Sequence, residues 1–114
     1  MSSPFYSIYL QHDADRVPVV VLHGEFDLAA VGDLATCFSE VLGPAVTEVN
    51  LDLAEVSFID SAALGVIVDA FRELRDRDGG LVVTAVSAFA ARTFEIAGLA
   101  SYLLPSRGDG DPLT

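Results

Sequence analysis

Basic residues are scarce in this chain. Six stand against seventeen acids among 114 residues, a formal net charge of −11 at pH 7. A surface of that sign repels nucleic acid and anionic lipid, so neither is an expected partner. It favours solubility and steers a basic protein partner, although a solvated acidic face with no partner explains the charge equally well. Long apolar runs are missing too: none approaches the ~20 residues that cross a bilayer, and direct membrane insertion is not expected. The opening stretch, MSSPFYSIYLQHDAD, has no basic start followed by an apolar block, so no secretory signal is expected. Cysteine occurs once, as Cys37 in 34-LATCFSEVL-42. It has no internal disulfide partner, which points to a reducing, cytoplasmic setting. No neighbour in the sequence would lower its pKa, which argues against a catalytic thiol.

The usual marks of chemistry are absent as well. There is no cysteine pair, no H-x-x-x-H and no D-x-D-x-D-G loop; the 108-GDGD-111 stretch, with Asp109 and Asp111, lacks the rest of a calcium site. Neither nucleotide fingerprint, G-x-x-x-x-G-K-[ST] or G-x-G-x-x-G, is found. No metal and no cofactor is expected. The two histidines, His12 and His23, fall in a turn and at a strand end, and nothing in the spacing places either beside a candidate serine nucleophile. Arg107-Gly108-Asp109 near the end reads as a chance tripeptide.

What remains is about half apolar residues, enough for one core, in a length that suits one domain. The alternation in 5-FYSIYLQ-11 predicts a half-buried strand, and the β-branched run 19-VVVLHGE-25 predicts a second. The polar 12-HDADRVP-18 between them reads as a hairpin turn. Asp27 can cap a helix whose stripe is Leu28, Val31, Leu34, Ala35, Phe38, Val41 and Leu42, stopped by Gly43-Pro44. A third strand follows around Val49, Leu51 and Leu53. A second helix starts at Ser61 with the stripe Leu64, Ile67, Val68, Phe71 and Leu74, and leaves through 75-RDRDGG-80. Then come a strand at 81-LVVTAV-86, a helix at 88-AFAARTFEIAG-98 and a short strand in 101-SYLL-104. The order β-β-α-β-α-β-α predicts an α/β fold built on a mixed sheet. One domain over 1–104 is expected, with a flexible tail over 105–114.

The junction 56-VSFIDSAALGVIVDAF-71 asks for an explanation of Ser61. As an N-cap, its hydroxyl would accept a backbone N–H of the first turn; Asp60 could cap instead. A serine held there is also exposed, beside small Ala62 and Ala63, at a helix start that favours phosphate. On the residues alone, the cap is the simpler reading.

Four segments in order carry a resemblance. Leu51-Asp52-Leu53, then Phe58, Asp60-Ser61 and Leu64-Gly65, are similar to the L-D-L strand and D-S-[ST]-G-L-G helix start of STAS domains, in particular bacterial anti-sigma factor antagonists. Upstream 24-GEFDLAAV-31 resembles their G-x-[LF]-D segment, and downstream 94-FEIAGLASYL-103 their L-x-x-x-G-L ending. The resemblance spans roughly residues 5 to 104. It implies a sheet of four or five strands with helices packed mainly on one face. It also implies partner switching. The unmodified protein binds a serine kinase that doubles as the anti-sigma factor, which frees the sigma factor. Phosphorylation of the serine, by position Ser61, breaks the contact, and a serine phosphatase restores it. The antagonist itself is not an enzyme. Asp27, Asp60, Ser61, Ala62, Ala63, Leu64 and Gly65 are the implied contact residues. Asp27 and Asp60 serve equally well as helix caps, and the stretch from Ala62 to Gly65 as helix packing. Ala62 and Ala63 replace the family's second hydroxyl and glycine. That leaves one phosphoacceptor, and it also fits relatives that act as unphosphorylated interaction subunits of sensory or membrane transport complexes. Exposed sheet surface, or Tyr9 and Tyr6, is a candidate support for a homodimer.

Overall fold

The computed structural model describes residues 5–104. Two strands, β1 (Tyr6–His12) and β2 (Pro18–Phe26), form the expected hairpin. In its turn, Asp13 Oδ1 accepts the N–H groups of Asp15 and Val17, and Arg16 takes a positive φ of 66°. A 3₁₀ turn (Leu28–Ala30) then leads into helix α1 (Val31–Val41). Strand β3 (Glu48–Ile59), helix α2 (Ser61–Asp76), strand β4 (Gly80–Val86), helix α3 (Ala88–Ile96) and the short helix α4 (Ala100–Leu103) complete the order.

The described strands form one four-stranded sheet in the order β1-β2-β3-β4. The β1–β2 pair is antiparallel, and the β2–β3 and β3–β4 pairs are parallel. Parallel neighbours need a crossover, and α1 and α2 supply the two. The mixed α/β sheet predicted from the element order is therefore present. Period-two patterning puts the core on one face: Val20, Leu22, Leu51, Leu53 and Val83 are completely buried, while Tyr9 and Val82 on the other face are about half exposed. Onto the apolar face, α1 packs Leu34 and Phe38, α2 packs Ala63, Ile67 and Leu74, and α3 packs Ala90 and Phe94.

Strand β3 outruns β4. It pairs with β4 only as far as Leu53, then continues beside β2 to Ile59. The chain crosses that gap at Ser87, whose N–H donates to Leu53 O (3.0 Å) and whose hydroxyl donates to Val56 O (2.6 Å). The same hydroxyl oxygen accepts the Ala90 N–H, so one serine starts α3 and fastens it to β3. At the opposite end of α2, a Cβ on Gly79 would lie 1.7 Å from Thr47 O, so only glycine fits between the helix exit and β4.

Three expectations are corrected. Asp27 does not start α1; it caps the 3₁₀ turn, and the helix begins four residues later. That turn swings Leu28 to the surface (74% exposed), leaves Ala35 exposed, and puts Ala30 and Cys37 in the core instead. Along α2, Val68 and Phe71 are only half-buried, and Ala63 and Ala70 complete the inward stripe. Finally, 101-SYLL-104 is helical. Gly98, at φ 76°, turns the chain, the Leu103 N–H donates to Leu99 O, and the winding tucks Leu103 into the core. The expected tail over 105–114, with Asp109, Asp111 and the Arg107-Gly108-Asp109 tripeptide, lies outside the described residues.

Candidate functional site at the start of helix α2

The paired ends of β2 and β3 make the site. Phe26 and Ile59 are register partners in the parallel pair, so the next residues, Asp27 and Asp60, leave the sheet side by side at the carboxyl ends of the strands. Open parallel sheets characteristically present ligands and partners at that edge. A backbone bond fixes the two exits to each other: the Asp60 N–H donates to Phe26 O across 3.1 Å.

Asp60 is the N-cap of α2. Its backbone is extended (φ −103°, ψ 179°), Oδ1 accepts the Ala63 N–H at 3.0 Å, and its carbonyl accepts the Leu64 N–H at 2.9 Å. Because Asp60 holds the cap, Ser61 is not the capping residue. Ser61 is the first helical residue, it is exposed, and its hydroxyl has no partner among the described residues. The backbone N–H groups of Ser61 and Ala62 belong to the unpaired first turn of a helix. A phosphoryl group on Ser61 would meet those donors and the positive end of the helix. It would also follow directly on the Asp60 carboxylate, with Asp27 on the neighbouring strand exit.

Asp27 is exposed, and its Oδ1 accepts the Ala29 N–H at 2.9 Å. Of the seven expected contact residues, Asp27, Asp60, Ser61, Ala62 and Gly65 reach the surface at least in part. Gly65 stands in open space, since an added Cβ there would touch nothing within 4 Å. Ala63 and Leu64 do not share that surface: they are 0% and 6% exposed. Helical periodicity turns both inward, toward the position that Ile67 continues.

An apolar flank was missed from the sequence. Leu28, beside Asp27, is an exposed apolar side chain, and Phe58 and Phe89 are 39% and 43% exposed with ring centroids 5.3 Å apart. Phe58 lies on the strand that leads directly to Ser61. The detectable signal was the break in alternation after Leu53: two apolar residues in succession, Phe58 and Ile59, cannot both face the core of one strand.

Among the described residues no nucleophilic triad assembles. His12 pairs with Pro18 at the hairpin, and His23 packs edge-on against Tyr9 at 5.1 Å. Among the described residues no group of three or more histidine, cysteine, aspartate or glutamate side chains is placed to hold a metal ion. No helix of the described residues is long and apolar enough to cross a membrane. Cys37 is buried in α1, where burial and the nearby Glu40 carboxylate raise its thiol pKa and so disfavour the reactive thiolate.

Known proteins are similar to this chain in sequence and in fold. The family model described as "Mlab, STAS domain" matches residues 10–105. The anti-sigma-B factor antagonist of Listeria monocytogenes is 32% identical over 101 residues, covering 89% of this chain and 88% of its own. That of Staphylococcus aureus is 29% identical over 94 residues, covering 82% and 87%. Among solved structures, an anti-sigma factor antagonist from Mycobacterium paratuberculosis superposes with a TM-score of 0.79 at 24% identity, over 96% of this chain and 93% of that one. The unphosphorylated form of the anti-sigma factor antagonist SpoIIAA superposes with a TM-score of 0.75 at 23% identity, over 94% and 93%. The phosphorylated form of SpoIIAA, from Bacillus, superposes with a TM-score of 0.70, also at 23% identity, over 94% and 96%.

Proposed function

This chain belongs to the STAS domain family, and we propose that it is an anti-sigma factor antagonist whose docking surface for an anti-sigma serine kinase is switched by phosphorylation of Ser61. The observation that carries the reading is the division of labour at the start of α2: Asp60 does the capping, and the Ser61 hydroxyl stays exposed and unengaged. A hydroxyl without a structural duty can be modified while the fold stays intact. The relatives named as anti-sigma-B factor antagonists, and the SpoIIAA structures in two phosphorylation states, support the same reading.

The physics of the switch is electrostatic. Phosphorylation adds about two negative charges at a point flanked by Asp27 and Asp60. The unpaired N–H groups of Ser61 and Ala62 offset part of that repulsion within the domain. A partner pressed against the surface must instead desolvate the dianion. A penalty of ~3 kcal/mol weakens binding more than a hundredfold. The chain does no chemistry itself: ATP belongs to the kinase, and a serine phosphatase returns the protein to its binding form, all in the cytoplasm.

A second reading rests on Ala62 and Ala63. The Cβ of Ala63 is packed in the core where the family pattern carries glycine. A protein that works as an unphosphorylated interaction subunit of a sensory or membrane transport complex needs no second hydroxyl and no glycine there. Incubation with the serine kinases of its own organism and ATP separates the two. Under the first reading the intact mass rises by one phosphate and Ser61→Ala abolishes the gain. No modification by any of them overturns the first reading and favours the second.

A further inference from the structure

Arginine supplies all six bases of the chain, at positions 16, 72, 75, 77, 92 and 107, and lysine is absent. Only one of them is in an ion pair among the described residues: Arg77, with Glu73 at 2.6 Å. Two others sit one turn apart on α2 with no carboxylate in ion-pair range. Arg72 and Arg75 both line a groove of about 390 Å³ between α2 and α4. Val68 and Phe71 from α2, with Leu99 and Tyr102 from the α4 segment, form the rest of its wall. The guanidinium of Arg75 lies 5.6 Å from the Phe71 ring centroid, a cation–π contact at the groove wall. Tyr102 is 61% exposed at the rim.

The charge balance gives the groove its selectivity. The protein as a whole repels anions, with a net charge of −11. Among the residues that line the groove two arginines stand against one acid, Asp76, so the lining carries a net positive charge. Guanidinium forks match carboxylate and phosphate oxygens. The volume falls in the range of small-ligand sites, and such sites pair a mainly apolar lining with a few placed polar groups. From this charge complementarity and this lining, we infer that the α2–α4 groove binds a small amphiphilic anion, a carboxylate or phosphate carried on an apolar body. Arg72 and Arg75 hold the head, and Val68, Phe71, Leu99 and Tyr102 cover the body. The site lies roughly 16 Å along the helix axis from Ser61, and it stands whether or not Ser61 is phosphorylated.

The test is an amide NMR titration of the full chain with octanoate, octyl phosphate, inorganic phosphate and octanol. Saturable shifts confined to residues 68–76 and 99–102 with octanoate or octyl phosphate are expected, and the tighter of the two identifies the head group. Inorganic phosphate and octanol, each lacking half of the chemistry, bind at least about tenfold more weakly. Arg72→Gln with Arg75→Gln removes only exposed charge, so the fold is kept and affinity for the anionic probe falls by about tenfold or more. No saturable shift with either anionic probe overturns the inference, as do shifts centred elsewhere or an unchanged affinity in the double variant.

Discussion

The carboxylate of Asp60 accepts the Ala63 N–H at 3.0 Å, three residues ahead along the same chain, and this bond leaves the intervening Ser61 hydroxyl without a structural task. Two neighbouring polar side chains at one helix start have thus separated their roles, one stabilising and one available.

Stability measurements will show the separation directly. Asp60→Ala removes the cap acceptor and is expected to lower unfolding stability by ~1 kcal/mol. Ser61→Ala removes no hydrogen bond and is expected to shift it by less than ~0.5 kcal/mol. Urea denaturation of the two variants beside the wild type makes the comparison. A larger loss at Ser61 than at Asp60 would reverse the assignment of roles.

Arg77 fastens the end of α2 to the connection between α1 and β3. Its Nη1 donates to Gly43 O (2.7 Å) and Val46 O (2.8 Å), and its Nη2 to Leu42 O (3.2 Å) and Glu73 (2.6 Å). Arg77→Ala leaves three carbonyls of that connection without this donor. The expected loss is ~2 kcal/mol, read as a lower urea midpoint. Arg77→Lys recovers only part of it, because an ammonium cannot serve three carbonyls from a planar fork.

Tyr6 supplies a pH dependence. Its hydroxyl donates to Asp33 Oδ2 at 2.7 Å, and that bond, followed by burial and the Asp33 and Asp27 charges, raises the phenol pKa. A folded-state pKa above the unfolded value favours the protonated phenol in the fold. Its stabilisation is therefore complete below the unfolded tyrosine pKa of ~10 and fades as pH climbs through the higher folded value. Denaturant midpoints taken across that alkaline range should fall more steeply for the wild type than for Tyr6→Phe. Parallel curves would mean that the Asp33 contact contributes nothing to the fold.

Cys37 should be silent to thiol reagents. It is 6% exposed and its pKa is raised by burial and by Glu40. Ellman titration at neutral pH is expected to find no fast-reacting thiol in the native protein and one after denaturation in urea. Prompt labelling without denaturant would place this side chain outside the core.

Much of the fold was legible because its rules are local. The β-branched run at 19–25 and the stripe from Leu64 to Leu74 have the periods of a strand and a helix, and both elements formed where those periods run. The misreadings occur where one residue has two acceptable local states. Leu28 suits a helix stripe by spacing, yet the 3₁₀ turn capped by Asp27 rotates it outward. The 101-SYLL-104 segment has apolar residues for a strand, yet it winds into a helix that buries Leu103. The site was legible as a list and not as a surface. Asp27, Asp60 and Ser61 were named, but the inward turn of Ala63 and Leu64 and the exposure of Phe58 beside Phe89 depend on how α2, β3 and α3 pack.

By itself the amino-acid sequence determined the four strands and the three longer helices in their order, and that a serine and an aspartate meet at the start of the second helix, since hydrophobic period and capping chemistry act over a few neighbouring residues. Only the tertiary structure decided which of those two takes the cap, that Asp27 stands beside Asp60, and that two arginines face a groove with α4. Those outcomes depend on the pairing of Phe26 with Ile59 and on the winding after Gly98, and contacts between segments far apart in the chain are fixed by packing rather than by local preference.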